Sequence, residues 1–132
     1  MKISPDLNLR QIDDVLDLIK EFGMDGVVAT NTTVTRENLT TNPVRVEQIG
    51  SGGLSGKPIR DRSTEIIRYI YRKTGGNLPI IGVGGIMNAA DAIEKLRAGA
   101  LLVQVYTGFI YEGPGIVKKI NRALVRRNSA QK

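Results

Sequence analysis

Two residue types that carry much of the chemistry of enzymes are missing from this sequence. Its 132 residues include no cysteine and no histidine. The first absence excludes disulfides and thiolate metal sites, so no metal is expected, and the second removes the commonest general base. Acid–base chemistry must therefore use a carboxylate, a lysine, a tyrosine, an activated hydroxyl or a group outside this chain.

Long apolar runs are also missing. No stretch reaches the length that a bilayer requires, and no signal peptide is recognisable. These features predict a cytoplasmic chain.

Positive charge is in excess, with 19 lysine and arginine residues against 13 aspartate and glutamate residues. Much of the excess lies near the end of the chain, at Lys118, Lys119, Arg122, Arg126, Arg127 and Lys132. Such a run is usually a solvated helix face and tail, and nucleic acid or an anionic membrane is the alternative. No aromatic residue is interleaved with these bases, which argues against a nucleic-acid partner.

The stretch at residues 79–85, PIIGVGG, combines the composition of a buried strand with a glycine turn. Asn88 follows as a helix N-cap, with Asp91 three positions further on. A strand, a glycine turn and a helix N-terminus together form a site where backbone N–H groups can reach an anion. A tight turn without a ligand is the other interpretation.

Two further apolar runs have the length of buried strands, at residues 26–30 and 100–105, and residues 1–4 are interpreted as the last few residues of another strand. Helical periodicity predicts helices over residues 9–22, 63–74, 89–98 and 116–127. The apolar positions on these helices are expected to be buried: Ile12, Val15, Leu16, Ile19, Phe22, Ile66, Ile67, Ile70, Tyr71, Ile93, Leu96, Ile116, Val117, Ile120, Leu124 and Val125.

Residues 34–58 show no convincing periodicity and contain the run GSGGLSG at 50–56. A flexible glycine-serine linker is one interpretation of this run. The leucine within it and the Lys57-Pro58 pair after it favour an ordered backbone cradle.

The order of elements is four βα units, which predicts parallel α/β packing. A complete (β/α)₈ barrel takes about 250 residues and carries its site on the loops after the strands. We therefore predict that residues 1–127 form the second half of such a barrel, with a polar tail at 128–132. An open doubly wound sheet remains the alternative. Polar or glycine clusters follow every strand: Lys2, Asn31 with Thr32, Gly84 with Gly85, and Tyr106 with Thr107.

Five ordered motifs resemble dihydroorotate dehydrogenase, and the third resembles its quinone-reducing, membrane-associated class. They are KISPDL at 2–7, TNTT at 30–33, GGLSGKP at 52–58, IIGVGGI at 80–86 and LVQVYT at 102–107. The resemblance covers the C-terminal half of that enzyme. It implies a flavoprotein that uses FMN to oxidise dihydroorotate to orotate in pyrimidine biosynthesis, with quinone as the electron acceptor.

The resemblance also implies a role for each matching residue. Lys2 would lie beside the flavin ring and offset the negative charge of its reduced form. Asn31 and Thr32 would hold the substrate. The remaining FMN contacts would come from Thr30, Gly56, Gly85, Tyr106 and Thr107.

In this class the catalytic base is a serine of the N-terminal half, so the resemblance implies that no catalytic base lies in this chain. We expect the chain to be inactive alone, and to pair either with the missing half or with itself through open sheet edges. The full-length enzyme would lie on the cytoplasmic side of the inner membrane as a peripheral protein. A non-catalytic half-barrel that binds a phosphorylated ligand or nothing, and another FMN oxidoreductase barrel, are the alternatives.

Overall fold

Four parallel strands lie side by side in chain order at the centre of the structure, a computed structural model that describes residues 1–37 and 39–129. The strands are β1 (Lys2–Ile3), β2 (Val27–Ala29), β3 (Ile80–Val83) and β4 (Leu102–Gln104). A doubly wound sheet reverses its strand order at a switch point, whereas the wall of a barrel keeps sequence order. The order β1-β2-β3-β4 therefore favours the barrel interpretation.

Six helices accompany the strands within the described residues. They are α1 (Leu9–Glu21), α2 (Pro43–Ile49), α3 (Arg60–Lys73), α4 (Ala89–Arg97), α5 (Thr107–Glu112) and α6 (Gly115–Ser129). A short 3-10 turn, Lys57–Ile59, leads directly into α3.

Local sequence signals determine where α1 and α4 begin. The side chain of Asn8 accepts the Gln11 N–H at 2.9 Å, and the Gln11 side chain accepts the Asn8 N–H at 3.0 Å, which forms a capping box. The Asn88 side chain accepts the Asp91 N–H at 3.1 Å. Both predicted N-caps are confirmed.

The main core lies between the strands and helices α1 and α3. Its buried members include Ile12 and Ile19 from α1, and Ile66, Ile67 and Ile70 from α3. A second cluster joins α4 and α6 and consists of Ile86, Ala92, Ile116 and Ile120. These two clusters hold the helices against the sheet and so fix the positions of the strand ends.

Several positions predicted to be buried are not. Phe22, Tyr71, Val117 and Val125 are exposed, and Ile93 and Leu96 are only half-buried. On α4 the buried positions are instead Asp91, Ala92 and Lys95. In β4, Leu102 and Gln104 are exposed, so this edge strand is not buried as predicted. Periodicity identifies an apolar stripe but not the neighbour that must cover it.

Two helices were missed. Helix α2 lies in the segment predicted to lack structure, and no residue of it is buried, so it has no apolar stripe to detect. Its signal was local: the Asn42 side chain caps the Val44 N–H at 2.9 Å, and Pro43 occupies the first turn. Helix α5 has only six residues, too few for a periodic pattern.

Two helix bounds also differ from the prediction. Helix α3 begins at Arg60 rather than Ser63, because Pro58 and the 3-10 turn already set the helical direction. Helix α6 continues to Ser129, so the first two residues of the predicted polar tail are helical. Residues 130–132 lie outside the described residues. No described helix has the length and hydropathy of a membrane span.

Candidate functional site

A cavity of about 320 Å³ lies at the carboxyl ends of the four strands. All eight residues that the sequence predicted for the site line this one cavity: Lys2, Thr30, Asn31, Thr32, Gly56, Gly85, Tyr106 and Thr107. They come from four strand ends and from the glycine loop, which we define as residues 50–56. Parallel strands end at the same edge of a sheet, and this explains the convergence.

The loops after β1 and β2 are joined by the carboxylate of Asp6. It accepts a hydrogen bond from the Thr33 hydroxyl and one from the Val34 N–H, the second at 2.9 Å. Burial tends to raise the pKa of Asp6, but the bonds from Thr33 and Val34 outweigh it and lower the pKa below its ordinary value. Lys2, in β1, and Asn31, just after β2, lie on the two segments that this tie connects, and both side chains are exposed.

Thr30 occupies the floor of the cavity and is almost fully buried. Its N–H donates to the Val83 carbonyl at 2.7 Å, and its hydroxyl donates to the Asn31 carbonyl at 3.1 Å. The first bond links the end of β2 to the end of β3. Thr30 is therefore fixed by the sheet, whereas Asn31 beside it faces solvent.

The glycine loop is ordered and fastened to its neighbours at three points. Thr33 and Leu54 exchange backbone hydrogen bonds of 3.0 and 2.7 Å. The Arg36 side chain donates to the Gly52 carbonyl at 2.5 Å, and the hydroxyls of Ser55 and Thr107 are 2.9 Å apart. These contacts favour the cradle interpretation over a flexible linker.

Two glycines of the cavity have backbone conformations that other residues rarely adopt. Gly56 has φ +81°, and a Cβ there would lie 2.9 Å from Thr107 Cγ2. Gly85 has φ +71°, and a Cβ there would lie 2.4 to 2.8 Å from the backbone and Cβ of Arg60. From the sequence, glycine in this turn was expected to let the backbone approach an anion. The structure shows that the start of α3 occupies the space where a Cβ of residue 85 would lie.

Free backbone donors line the cavity. Among residues 1–37 and 39–129, no group accepts a hydrogen bond from the N–H groups of Gly84, Gly85, Thr107 or Gly108. All four residues border the cavity. Unpaired backbone N–H donors are suited to the oxygens of an anion such as a phosphate.

The structure also brings in residues that the sequence did not predict. Ser55, Ile59, Ile86 and Gln104 line the same cavity. Ser55 and Gln104 had a recognisable signal, because each is a polar residue inside a glycine-rich or apolar stretch. Ile59 and Ile86 had none, since both look like ordinary core residues.

The sequential parallel strands, the crossover helices and the cavity on the carboxyl-end loops define four βα units of a (β/α)₈ barrel. The family model described as dihydroorotate dehydrogenase matches residues 1–127. The chain belongs to the dihydroorotate dehydrogenase family.

Curated relatives and solved structures agree with this assignment. The dihydroorotate dehydrogenase (quinone) of Synechococcus sp. strain JA-2-3B'a(2-13) is 50% identical in an alignment that covers 96% of this chain and 36% of that protein. The one from Cyanothece sp. is 53% identical, covering 91% of this chain and 33% of the relative. A crystal structure of ligand-free dihydroorotate dehydrogenase from Eimeria tenella superposes with a TM-score of 0.87 at 38% identity, covering 98% of this chain and 35% of that one. The chain thus spans about a third of the length of the relatives that it matches.

Proposed function

We propose that this chain supplies the FMN-phosphate side of the active site in an enzyme that oxidises dihydroorotate to orotate, with quinone as the electron acceptor. The observation that carries the proposal is the convergence of eight family-matched residues on one cavity with four free N–H groups. FMN would supply the hydride acceptor of the reaction.

The residues present fit the group. The free N–H groups of Gly84, Gly85, Thr107 and Gly108 would hold the phosphate. The hydroxyls of Thr30, Ser55 and Thr107 are suited to the hydroxyl-bearing chain of FMN. Tyr106 stands at the rim and is 73% exposed, so it would cover the ligand from outside.

At the other end of the cavity, Lys2 would lie beside the ring system and favour negative charge there. Asn31 would bind the substrate through its amide, which offers both a donor and an acceptor to the amide edges of a pyrimidine. Thr32, in the same loop, would complete this contact. These roles come from the family motif, and their common support is that the side chains border one cavity.

No carboxylate is among the described residues that line the cavity. The Ser55 hydroxyl, a possible proton acceptor by type, is already paired with Thr107 at 2.9 Å. Lys2 and Tyr106 also line the cavity, but the roles proposed for them are beside the flavin ring and at the rim. We therefore propose that the base that removes the substrate proton lies on a different segment of polypeptide, and that the 132-residue chain alone has no dehydrogenase activity. For the assembled enzyme we propose a peripheral position on the cytoplasmic side of the inner membrane.

A chimera tests the proposal. The chain would replace the matching segment of the Synechococcus relative, to which it is 50% identical. We expect the purified chimera to carry FMN and to reduce a soluble quinone in the presence of dihydroorotate. The Asn31→Ala version should keep its FMN and lose turnover, because only the substrate contact is removed. A folded chimera with a wild-type circular dichroism spectrum but no bound FMN would contradict the proposal.

A further inference from the structure

Lys95 on α4 is fully buried, with 0% of its surface exposed. Lysine is among the residues least often buried, because its ammonium must give up water. The room for it comes from β3: a Cβ on Gly82 would lie 3.1 Å from the Cβ of Lys95. The position is therefore inside the layer between α4 and the sheet rather than on the solvent face of the helix.

The acceptors of Lys95 are neutral groups at the start of α3. Its Nζ donates to the Arg60 carbonyl and to the Thr64 hydroxyl, both at 2.6 Å. The Thr64 hydroxyl also donates to the Arg60 carbonyl at 3.0 Å. Within the described residues, Lys95 takes part in no ion pair.

Charged groups surround the ammonium at longer range on both helices. Asp91 and Glu94 on α4 favour its charge, as does Asp61 on α3, whereas Arg60 disfavours it. Strand β3, with the sequence IIGV, contributes no titratable side chain. The Asp91 carboxylate is itself committed to the Met87 N–H at 2.9 Å and to the Arg60 guanidinium at 3.4 Å.

The first turn of α3, which Lys95 holds, packs against the Gly84–Gly85 turn that lines the cavity. The Arg60 backbone lies directly against Gly85, at the distances that exclude a Cβ there. Ile59, immediately before Arg60, lines the cavity. One turn further, the Ser63 hydroxyl donates to the Val83 carbonyl at 2.5 Å, which attaches α3 to the end of β3.

Packing alone does not account for a lysine at this position. Burial lowers the pKa of Lys95 to about 8, so the charged form is unfavourable for folding. An apolar side chain of similar length would fill the same space without that penalty. A positive charge in the protein interior does favour an anion bound nearby, because screening by water is weak there.

We propose that Lys95 is a positioning residue for the anion subsite at the Gly84–Gly85 turn, which it serves by fixing the first turn of α3 and by placing a positive charge close to that turn. The identification of the anion as a flavin phosphate rests on the proposed function above. The positioning of α3 does not depend on it.

Hydrogen–deuterium exchange on the ligand-free 132-residue chain tests the positioning. In Lys95→Met, peptides covering residues 57–66 and 83–87 should lose protection by about five- to thirtyfold, as the loss of one or two hydrogen bonds predicts. Thr64→Val removes one of the two acceptors and should produce a smaller loss in the same peptides. Lys73→Met is the matched control, because Lys73 lies at the other end of α3 and donates to Asp13 at 2.9 Å. Unchanged protection at residues 57–66 in both Lys95→Met and Thr64→Val would overturn the inference.

Flavin binding to the chimera tests the charge. FMN and riboflavin differ by the phosphate, so the ratio of their dissociation constants isolates the anion subsite. We expect Lys95→Met to weaken FMN binding by about tenfold at pH 7 and riboflavin binding by less than about twofold. In the wild type the preference for FMN should fall as pH rises through about 8, while the phosphate stays dianionic, and in Lys95→Met it should not.

The two measurements separate this inference from the proposed function. If no variant binds either flavin, the proposed function fails, and hydrogen exchange alone decides whether Lys95 positions α3. If FMN binds but Lys95→Met weakens both flavins equally, Lys95 has only a general structural role and the inference is wrong.

Discussion

The buried ammonium of Lys95 should make the stability of this chain depend on pH in an unusual direction. Burial lowers the pKa of Lys95 from its ordinary value of 10.5 to about 8. Between those two pH values the unfolded chain holds a proton that the folded chain has released. Stability therefore rises with pH through this window, and the penalty of the buried charge is fully present below pH 8.

The size of the effect follows from the two pKa values. They differ by about 2.5 pH units, which at about 1.4 kcal/mol per unit corresponds to about 3 kcal/mol. Replacing Lys95 by methionine removes the titration, and it also removes the two hydrogen bonds to Arg60 and Thr64. Those bonds contribute about 1 kcal/mol each, so the variant should be close to the wild type in stability at pH 7.

Urea unfolding followed by circular dichroism measures the difference between the two proteins. From pH 7 to pH 10 we expect the wild type to gain about 2 to 3 kcal/mol relative to Lys95→Met. Lys73→Met is again the control, because the bond to Asp13 raises the pKa of Lys73 above its ordinary value and moves its titration out of this window. A wild-type-minus-Lys95→Met difference that stays constant from pH 7 to pH 10 would refute the argument that the charge is buried at a cost.

Three further predictions concern the cavity and the edge of the sheet. Gly85→Ala should lower the free energy of unfolding by about 1 to 3 kcal/mol more than Gly113→Ala does. Both glycines have positive φ, but only Gly85 faces the Arg60 backbone. Equal losses in urea titrations would show that the close contact is relieved without cost. Lys2→Met in the chimera should leave the melting temperature unchanged, since Lys2 is exposed. It should lower the flavin reduction potential in a redox titration. An unchanged potential would show that Lys2 does not influence the flavin. The isolated chain should self-associate in light scattering through exposed apolar residues at the β4 edge. Leu102→Lys should reduce this association, whereas Leu18→Lys, at an exposed leucine on α1, should not. A concentration-independent monomer would contradict the prediction.

The parts of the fold that local chemistry determines could be predicted from the sequence. Asn8 with Gln11 and Asn88 with Asp91 marked the starts of two helices, because a capping side chain and its backbone partner are only three residues apart. The glycine pair at residues 84 and 85 marked the end of a strand, because a glycine turn is also a local signal. Lys2, Asn31, Thr32, Gly85, Tyr106 and Thr107 were predictable because polar and glycine clusters follow every strand, and parallel strands place those clusters together. Thr30 and Gly56 were expected only from the resemblance to the family.

The features that depend on contacts distant in sequence could not be predicted. Nothing local indicates that Lys95 is buried, since its room is provided by Gly82 and its acceptors lie on α3. The need for glycine at position 85 was predicted, but the group that requires it, Arg60, lies 25 positions away. Helix α2 was not predicted because none of its residues is buried, so its sequence has no buried apolar face that periodicity could reveal.

The loops around the cavity are joined to one another in a continuous series, and this has a consequence for binding. Asp6 ties the loop after β1 to the loop after β2, and the Thr33–Leu54 pair ties that loop to the glycine loop. Ser55 then joins the glycine loop to Thr107 at the start of α5. A site whose walls are fastened before the ligand arrives loses little conformational entropy on binding. The free N–H groups at Thr107 and Gly108 are therefore held in place by contacts made elsewhere, whereas the Gly84–Gly85 turn packs against Ile59, Arg60 and Ser63. Substitutions at Asp6, which is away from those donors, should weaken anion binding by allowing the walls to move.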